Sequence, residues 1–352
     1  MNRPFFSVLL PTKNRSEIVG GAVASLLAQT FADFELIVSD NDDSDVKTRE
    51  AIAKFTDPRV RYFRTAGNLP MHANWENALN QATGRFVMII EDKMRFVSNA
   101  LEVLHGLAAQ HGDVVISYDV AFIKGADLPP LNPVPPPLPV RSVDLAEKFR
   151  RFELDFFRMH PKSLDSCAPL EIIRRARAQS PTGMFFSYVT PDYSSGFLLL
   201  RTVESILFLN AGLAYIPNDW MANGRYSVGQ ASYQKAAITA RWLKELPVTI
   251  EDIQSYSPVK CQWLWINNAM YDYFTKYANP LKAPAPDWVR FHAFCFLIVI
   301  LGWRMGANMS EDLAAIRASL ATQSIGFRLR VYTIAAQRVA GMAFQFISNR
   351  LR

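Results

Sequence analysis

Glu91, Asp92 and Lys93 stand side by side directly after an apolar run, in MIIEDKMRF (88–96). Two carboxylates and an ammonium at the mouth of a buried-looking strand make either a solvated turn or a site for a charged ligand. Two other apolar stretches end in polar clusters. FFSVLLP (5–11) runs into PTKNR, and FELIVSD (34–40) runs into SDNDDSD. Clustered like charges cost energy unless a cation or a hydrogen-bond donor compensates them. If the three tips meet, they form an anionic cleft that expects a partner.

The intervening sequence says that they can meet. SEIVGGAVASLLAQ (16–29) has helical spacing, with Ser16 as a candidate N-cap. SDVKTREAIAKF (44–55) reads as a second helix capped by Ser44 or Asp45, and VRYFR (60–64) as a third strand. HANWENALNQA, RFVMII, SNALEVLHGLAAQH and DVVISYDV continue the alternation to residue 120. Strands separated by helices of about a dozen residues imply βαβ units and a mainly parallel sheet. In such sheets ligands bind beyond the carboxyl ends of the strands. Asp42, Asp43 and Asp45 read as solvated turn acids, and Trp75 as core.

Half of the 352 residues are apolar, so a large core is affordable. Cys167, Cys261 and Cys295 are dispersed, with no metal spacing and no disulfide framework, which fits a reducing, cytoplasmic setting. The N-terminal apolar stretch is too short for a signal peptide. AFCFLIVILGW (293–303) falls short of the roughly 20 residues of a membrane span and reads as a buried helix. Residues 1–140 carry 13 Lys/Arg and 16 Asp/Glu, while residues 141–352 carry 25 and 16. After Asp312 there are six Arg and no acid. This asymmetry suggests two jobs.

ADLPPLNPVPPPLPVR (126–141), with seven prolines in sixteen residues, reads as an extended connector. PDYSSGFLLLRTVESILFLN (191–210) reads as a helix and LAYIP (213–217) as a strand. From about residue 250 the pattern is helical throughout.

FSVLLPTKNRSEIVGGAVASLLAQTFADFELIVSDNDDSD together with GNLPMHANWENALNQATGRFVMIIEDK resembles the inverting family 2 glycosyltransferases of GT-A fold, in the branch whose third helix begins Asn-Trp. The resemblance covers residues 5–120 well, thins over 180–230 and stops near 240. It implies a GT-A domain over 1–240, including the Pro-rich loop, and a helical region over 241–352. It also implies a nucleotide-sugar donor. Pro11, Thr12, Asn14 and Glu17 would border base and ribose, with Asn41 beside them. Asp40 would accept a hydrogen bond from the base, whose ring N–H needs a fixed acceptor.

Glu91-Asp92-Lys93 falls where the family carries an Asp-x-Asp motif that holds a divalent cation. Carboxylate oxygen suits a hard cation, but an ammonium cannot ligate a metal. Three readings follow: Asp92 or Glu91 still holds Mg or Mn; Lys93 replaces the metal as a cation beside the phosphates; or the protein is a non-catalytic nucleotide-sugar or glycan-binding relative. The second is the expectation.

Inverting transfer needs a carboxylate to take the acceptor's proton. By the family's habit this acid opens a helix, which points to Asp192 in TPDYSSGF, with Asp219 as runner-up and YSVGQASYQ (226–234) as a closing loop. The family's acceptors are growing glycans or carrier-linked intermediates. RRAR (174–177) reads as a solvated helix face. The helix from Phe327 to Arg352 sets Phe327, Val331, Ala335, Val339, Met342 and Phe346 on one face with arginines around them. That pattern suits an anionic membrane surface, packing on the protein, or a homo-oligomer contact. Nothing in the basic stretch resembles nucleic-acid recognition.

Overall fold

The computed structural model describes residues 3–42, 46–123, 127–187, 189–217, 248–261, 265–304 and 308–350, with side chains up to residue 341. The chain divides into two compact units, Met1–Ala146 with Asp155–Met221, and Glu147–Leu154 with Ala222–Arg352. The expected boundary at residue 240 falls outside the described residues.

The first unit is built on β1 (Phe6–Thr12), β2 (Phe34–Asp40), β3 (Val60–Arg64) and β4 (Phe86–Ile89), in the order β3-β2-β1-β4 and all parallel. Helices α1 (Ser16–Leu27), α2 (Lys47–Ile52) and α3 (Met71–Asn80) make the crossovers. Every residue of β1, β2 and β4 is buried, which is why these strands are near-continuous apolar runs. β3, half-buried throughout, is the edge.

Beyond β4 the sheet is mixed rather than parallel. β8 (Ser166–Pro169) lies antiparallel to β4 and to β6 (Ile116–Ile123), and β9 (Ser205–Pro217) runs parallel to β6. The short β5 (Arg95–Phe96) and β7 (Leu138–Arg141) pair antiparallel with β9. α4 (Ala100–His111), α5 (Ser142–Arg150), α6 (Leu154–Met159), α7 (Leu170–Ala178) and α8 (Pro191–Thr202) complete the order to residue 217.

Several expectations are corrected. The helix opening at Pro191 stops at Thr202, and the run from Ser205 joins LAYIP as one strand, because pairing with β6 outweighs the local helical pattern. The Pro-rich connector ends in β7, where Pro139 is tolerated because β7 pairs with a single neighbour. Ser16 is the first residue of α1, and no side chain caps that helix. Ser44, Asp43 and Asp45 lie outside the described residues.

The second unit contains α9 (Ile250–Gln254), α10 (Ile266–Asp272) running on through a π-helical turn (Tyr273–Ala278), α11 (Trp288–Arg304), α12 (Ser310–Ala321) and α13 (Ile325–Arg350). The helical pattern expected from about residue 250 is interrupted around Pro258. Phe149 and Phe152 are buried here, against Tyr273 and against Phe291 and Phe294 respectively. The run 293–303 lies within α11 and is mostly buried. No helix of the described residues is long and apolar enough to cross a membrane.

Glu35 locks the parallel half. Its carboxylate accepts from Ser7 Oγ (2.6 Å), Thr83 N (2.8 Å) and Thr83 Oγ1 (2.8 Å), and pairs with Arg61. Gly84 completes the joint, since a Cβ there would stand 2.5 Å from the Ser7 nitrogen. Burial alone would raise the Glu35 pKa, but these bonds outweigh it and hold it below the usual value. Glu35→Ala should cost about 2–4 kcal/mol in urea unfolding at pH 7. Because the folded value is depressed, the contribution is complete above the unfolded value of about 4.3 and fades as pH falls through the folded one. The gap between wild type and variant should therefore narrow below pH 4.

Candidate active site

The carboxyl ends of β1, β2 and β4 do come together. Thr12, the last residue of β1, donates its hydroxyl to Asp92 Oδ2 at 3.2 Å, while its carbonyl accepts from Asn41 N at 3.0 Å. Pro11 is buried and lies opposite Ser39 of β2. Asn14, in the left-handed region at φ 54°, donates its N–H to Asp42 and leaves its side chain exposed. Glu17 is exposed in the first turn of α1.

Asp40 and Asn41 do not present open surfaces. Asp40 is fully buried; Oδ2 accepts from the Tyr62 hydroxyl and Oδ1 from Asp42 N at 2.9 Å. Burial leaves its pKa raised despite these bonds. Asn41 Oδ1 accepts from Thr65 Oγ1 and Leu69 N, both at 2.8 Å, and Nδ2 donates to the Leu69 carbonyl at 2.8 Å. Both side chains brace the loops at the strand tips. Asp42 is likewise buried rather than solvated.

Lys93 Nζ pairs with Glu91 Oε2 at 2.6 Å. Asp92 is left with the Thr12 hydroxyl, and burial, reinforced by the Glu91 charge, pushes its carboxyl up to about 6. Arg15 and Lys93 act in the opposite sense. A divalent ion takes several oxygen ligands. Here one of the two acids is already neutralised by an ammonium, and among the described residues no group of three or more His, Cys, Asp or Glu could hold a metal. With Glu91 held by Lys93, Asp92 is the carboxylate at this tip that a cation bridging a diphosphate would use.

Asp192 is the second residue of α8, half-buried in its first turn, after Pro191. Burial raises its pKa, Lys162 opposes that, and the charge of Glu91 adds to it. Asp192 therefore belongs to the same electrostatic cluster as the end of β4.

The sequence reading missed the residues that hold this arrangement. Asn74 accepts from Ser39 Oγ at 2.7 Å and donates to the carbonyls of Thr12 and Ser39 at 3.3 Å. Trp75 is core, edge-on to Phe186 at 5.4 Å. Glu76 accepts from the N–H groups of Phe185 (3.2 Å) and Phe186 (2.9 Å) and pairs with Arg177 at 3.0 Å. Arg177 is thus not part of a purely solvated face. One signal was available: Glu76 sits on the helical face shared by His72, Trp75 and Leu79, where an acid must be paired. Asp219 and residues 226–234 lie outside the described residues.

Residues 7–176 match the model of Glycosyl transferase family 2. This region is a family 2 glycosyltransferase domain. The family 2 domain is similar to GalNAc(5)-diNAcBac-PP-undecaprenol beta-1,3-glucosyltransferase of Campylobacter jejuni, 36% identical over 104 residues, 29% of this chain and 33% of that one. It is also similar to the Escherichia coli UDP-Glc:alpha-D-GlcNAc-diphosphoundecaprenol beta-1,3-glucosyltransferase WfgD, 30% identical over 97 residues, 28% of this chain and 38% of that one. The chain thus spans between 33% and 38% of the length of these relatives. Among solved structures, S. aureus TarS 1-349 superposes with a TM-score of 0.50 at 14% identity, covering 96% of this chain and 92% of that one, a likeness of fold.

If the strand tips take an anionic donor, the raised Asp92 carboxyl should make its binding pH-dependent. Below about pH 6 it takes a proton, and the trio Glu91-Asp92-Lys93 passes from one net negative charge to none. A nucleotide diphospho-sugar, whose phosphates do not titrate in this range, should bind about tenfold more tightly at pH 5.5 than at pH 7.5 without metal. Asp92→Asn should bind at pH 7.5 as wild type does at pH 5.5. Calorimetry would show the opposite trend if Asp92 were a metal ligand, since protonation would then remove the bridge.

Proposed function

We propose that this protein transfers a sugar from a nucleotide-sugar donor, with inversion, to a hydroxyl of a lipid-linked glycan acceptor. The observation that carries the reading is the convergence in one polar cluster of the Thr12–Asp92 contact and Asp192. The first would border the diphosphate at the strand tips, and the second is a carboxylate at a helix start with its pKa raised by burial. The names of the two curated relatives, both acting on sugars carried by undecaprenol diphosphate, support the acceptor class.

In this reading Lys93, drawn from Glu91, supplies the positive charge beside the departing diphosphate, and Arg15 adds to it. Thr12 holds Asp92 in place, Asn14 and Glu17 line the entrance, and Asp192 takes the acceptor proton as the bond to the sugar forms. The Lys93–Glu91 pair is the one observation that favours a non-catalytic binding relative. The raised pKa of Asp192, a carboxylate suited to accepting a proton, favours the catalytic reading. Asp192→Asn should lower transfer by about 10³-fold while leaving the donor's dissociation constant within about twofold. Retained turnover in a radiolabelled-sugar assay would reassign the base.

A lipid-linked acceptor also asks for a foothold on the membrane. Ile325, Leu329 and Tyr332 form an exposed stripe along α13 at 75%, 62% and 50% exposure. Arg330 is exposed beside them, and no acid follows Asp312. Such a helix suits the interface of an anionic bilayer. Sedimentation with phosphatidylglycerol vesicles should pull down the protein, and Ile325→Ser/Leu329→Ser should reduce the bound fraction about tenfold. If the stripe is instead a dimer seam, the double variant will halve the mass by light scattering and leave vesicle binding unchanged.

A further inference from the structure

The reaction as read above uses Asp192 and leaves unexplained a set of buried charged groups behind it. Segment 160–166 is clamped on the first turn of α8 at several points. The His160 ring occupies the space that a Cβ on Gly196 would need, with Nε2 only 2.4 Å from that position. Ser163 Oγ lies 2.9 Å from Ser195 Oγ, and Ser195 Oγ donates to the Asp192 carbonyl at 3.0 Å. The Lys162 ammonium lies 5.8 Å from the centre of the Tyr193 ring, the neighbour of Asp192.

Lys162 is itself held in place. Nζ donates to the Phe157 carbonyl at 2.7 Å and pairs with Asp165 Oδ2 at 2.8 Å. Its side chain is 14% exposed and that of Asp165 is 9% exposed. Asp165 Oδ1 is buried and, among the described residues, has no hydrogen-bond partner. A lysine this enclosed, tied to a half-satisfied acid, is costly to keep for stability alone.

We propose that Lys162, anchored by Asp165 and the Phe157 carbonyl, is the positioning residue whose ammonium holds the Asp192 carboxylate charged and ready to take the acceptor proton. The inference rests on Asp192 being the base. The charged and titratable groups around the pair come from several elements. Glu91 at the end of β4 acts on Asp192, and Asp119 of β6 acts on Asp165, while Asp119 is itself paired with Arg158 of α6. Buried His160 is held neutral, first by desolvation and then by Lys162. Tyr193 stays un-ionised, first through burial and then through the charges of Asp192 and Asp165. Burial, set against the pull of Lys162, pushes Asp165 up to about 7. Lys162 is the cation that opposes the burial of Asp192.

The test is a carboxyl-carbon NMR titration of protein labelled with 13C at aspartate carboxyls, the Asp192 signal being assigned by its loss in Asp192→Asn. In Lys162→Met the Asp192 midpoint should move to higher pH by about one pH unit. The acid limb of the kcat profile should follow it, with the donor KM within about twofold. Lys162→Arg should return both to within 0.3 pH unit, about a twofold effect, of wild type. If Lys162→Met does not fold, Lys162→Gln, which keeps donors for Phe157 and Asp165, is titrated instead. An unchanged Asp192 midpoint in the neutral variant overturns the proposal. If Asp192→Asn retains full transfer, the reading of Asp192 as base fails, but the NMR midpoint still judges whether Lys162 sets its charge.

Discussion

The hydrogen bond from Thr12 to Asp92 is the contact on which the rest of the site depends. Parallel register alone brings β1 and β4 together only as far as Leu9 opposite Ile89. Beyond that point β4 has ended and β1 has three more residues. Thr12 closes this gap with its hydroxyl, and its carbonyl takes donors from Asn41 and Asn74. One residue thereby joins the tips of three elements, and the cost of setting Glu91 and Asp92 side by side is met by a fixed donor and a fixed ammonium.

α3 extends that joint to the other side of the site. Asn74 and Asn77 hold Ser39 at the end of β2, and Glu76 holds the backbone of Phe185 and Phe186. The latter strand of chain leads directly to Pro191 and Asp192. Four consecutive residues, Asn74 to Asn77, therefore couple the strand tips to the start of α8. This explains why polar side chains occupy buried positions of a short helix: each satisfies backbone or strand-end groups that would otherwise be buried unpaired.

The parallel half of the fold was legible because it is written locally. β3 was read with its observed bounds, and β1, β2 and β4 to within a residue or two, since each is an apolar run closed by a polar turn. β9 was misread because its first half follows a helix without a break, and only pairing with β6 makes it a strand. Asp192 could be singled out by its place at a helix start. Lys162 and Asp165 could not, because a lysine and an acid three residues apart look like any solvated pair until burial is known. The bracing of Asp40 and Asn41 was hidden for the same reason: an acid at a strand tip looks open until the bonds from Tyr62, Thr65 and Leu69 are seen.

Four acids in the first unit share one solution. Glu35 is met by Arg61, Glu76 by Arg177, Glu91 by Lys93 and Asp165 by Lys162. Each counter-charge comes from the chain itself. Asp92 and Asp192, outside these four pairs, have raised pKa values, and each feels the charge of a lysine engaged elsewhere. Their charge is set by burial and by neighbouring charges rather than by an ion pair of their own.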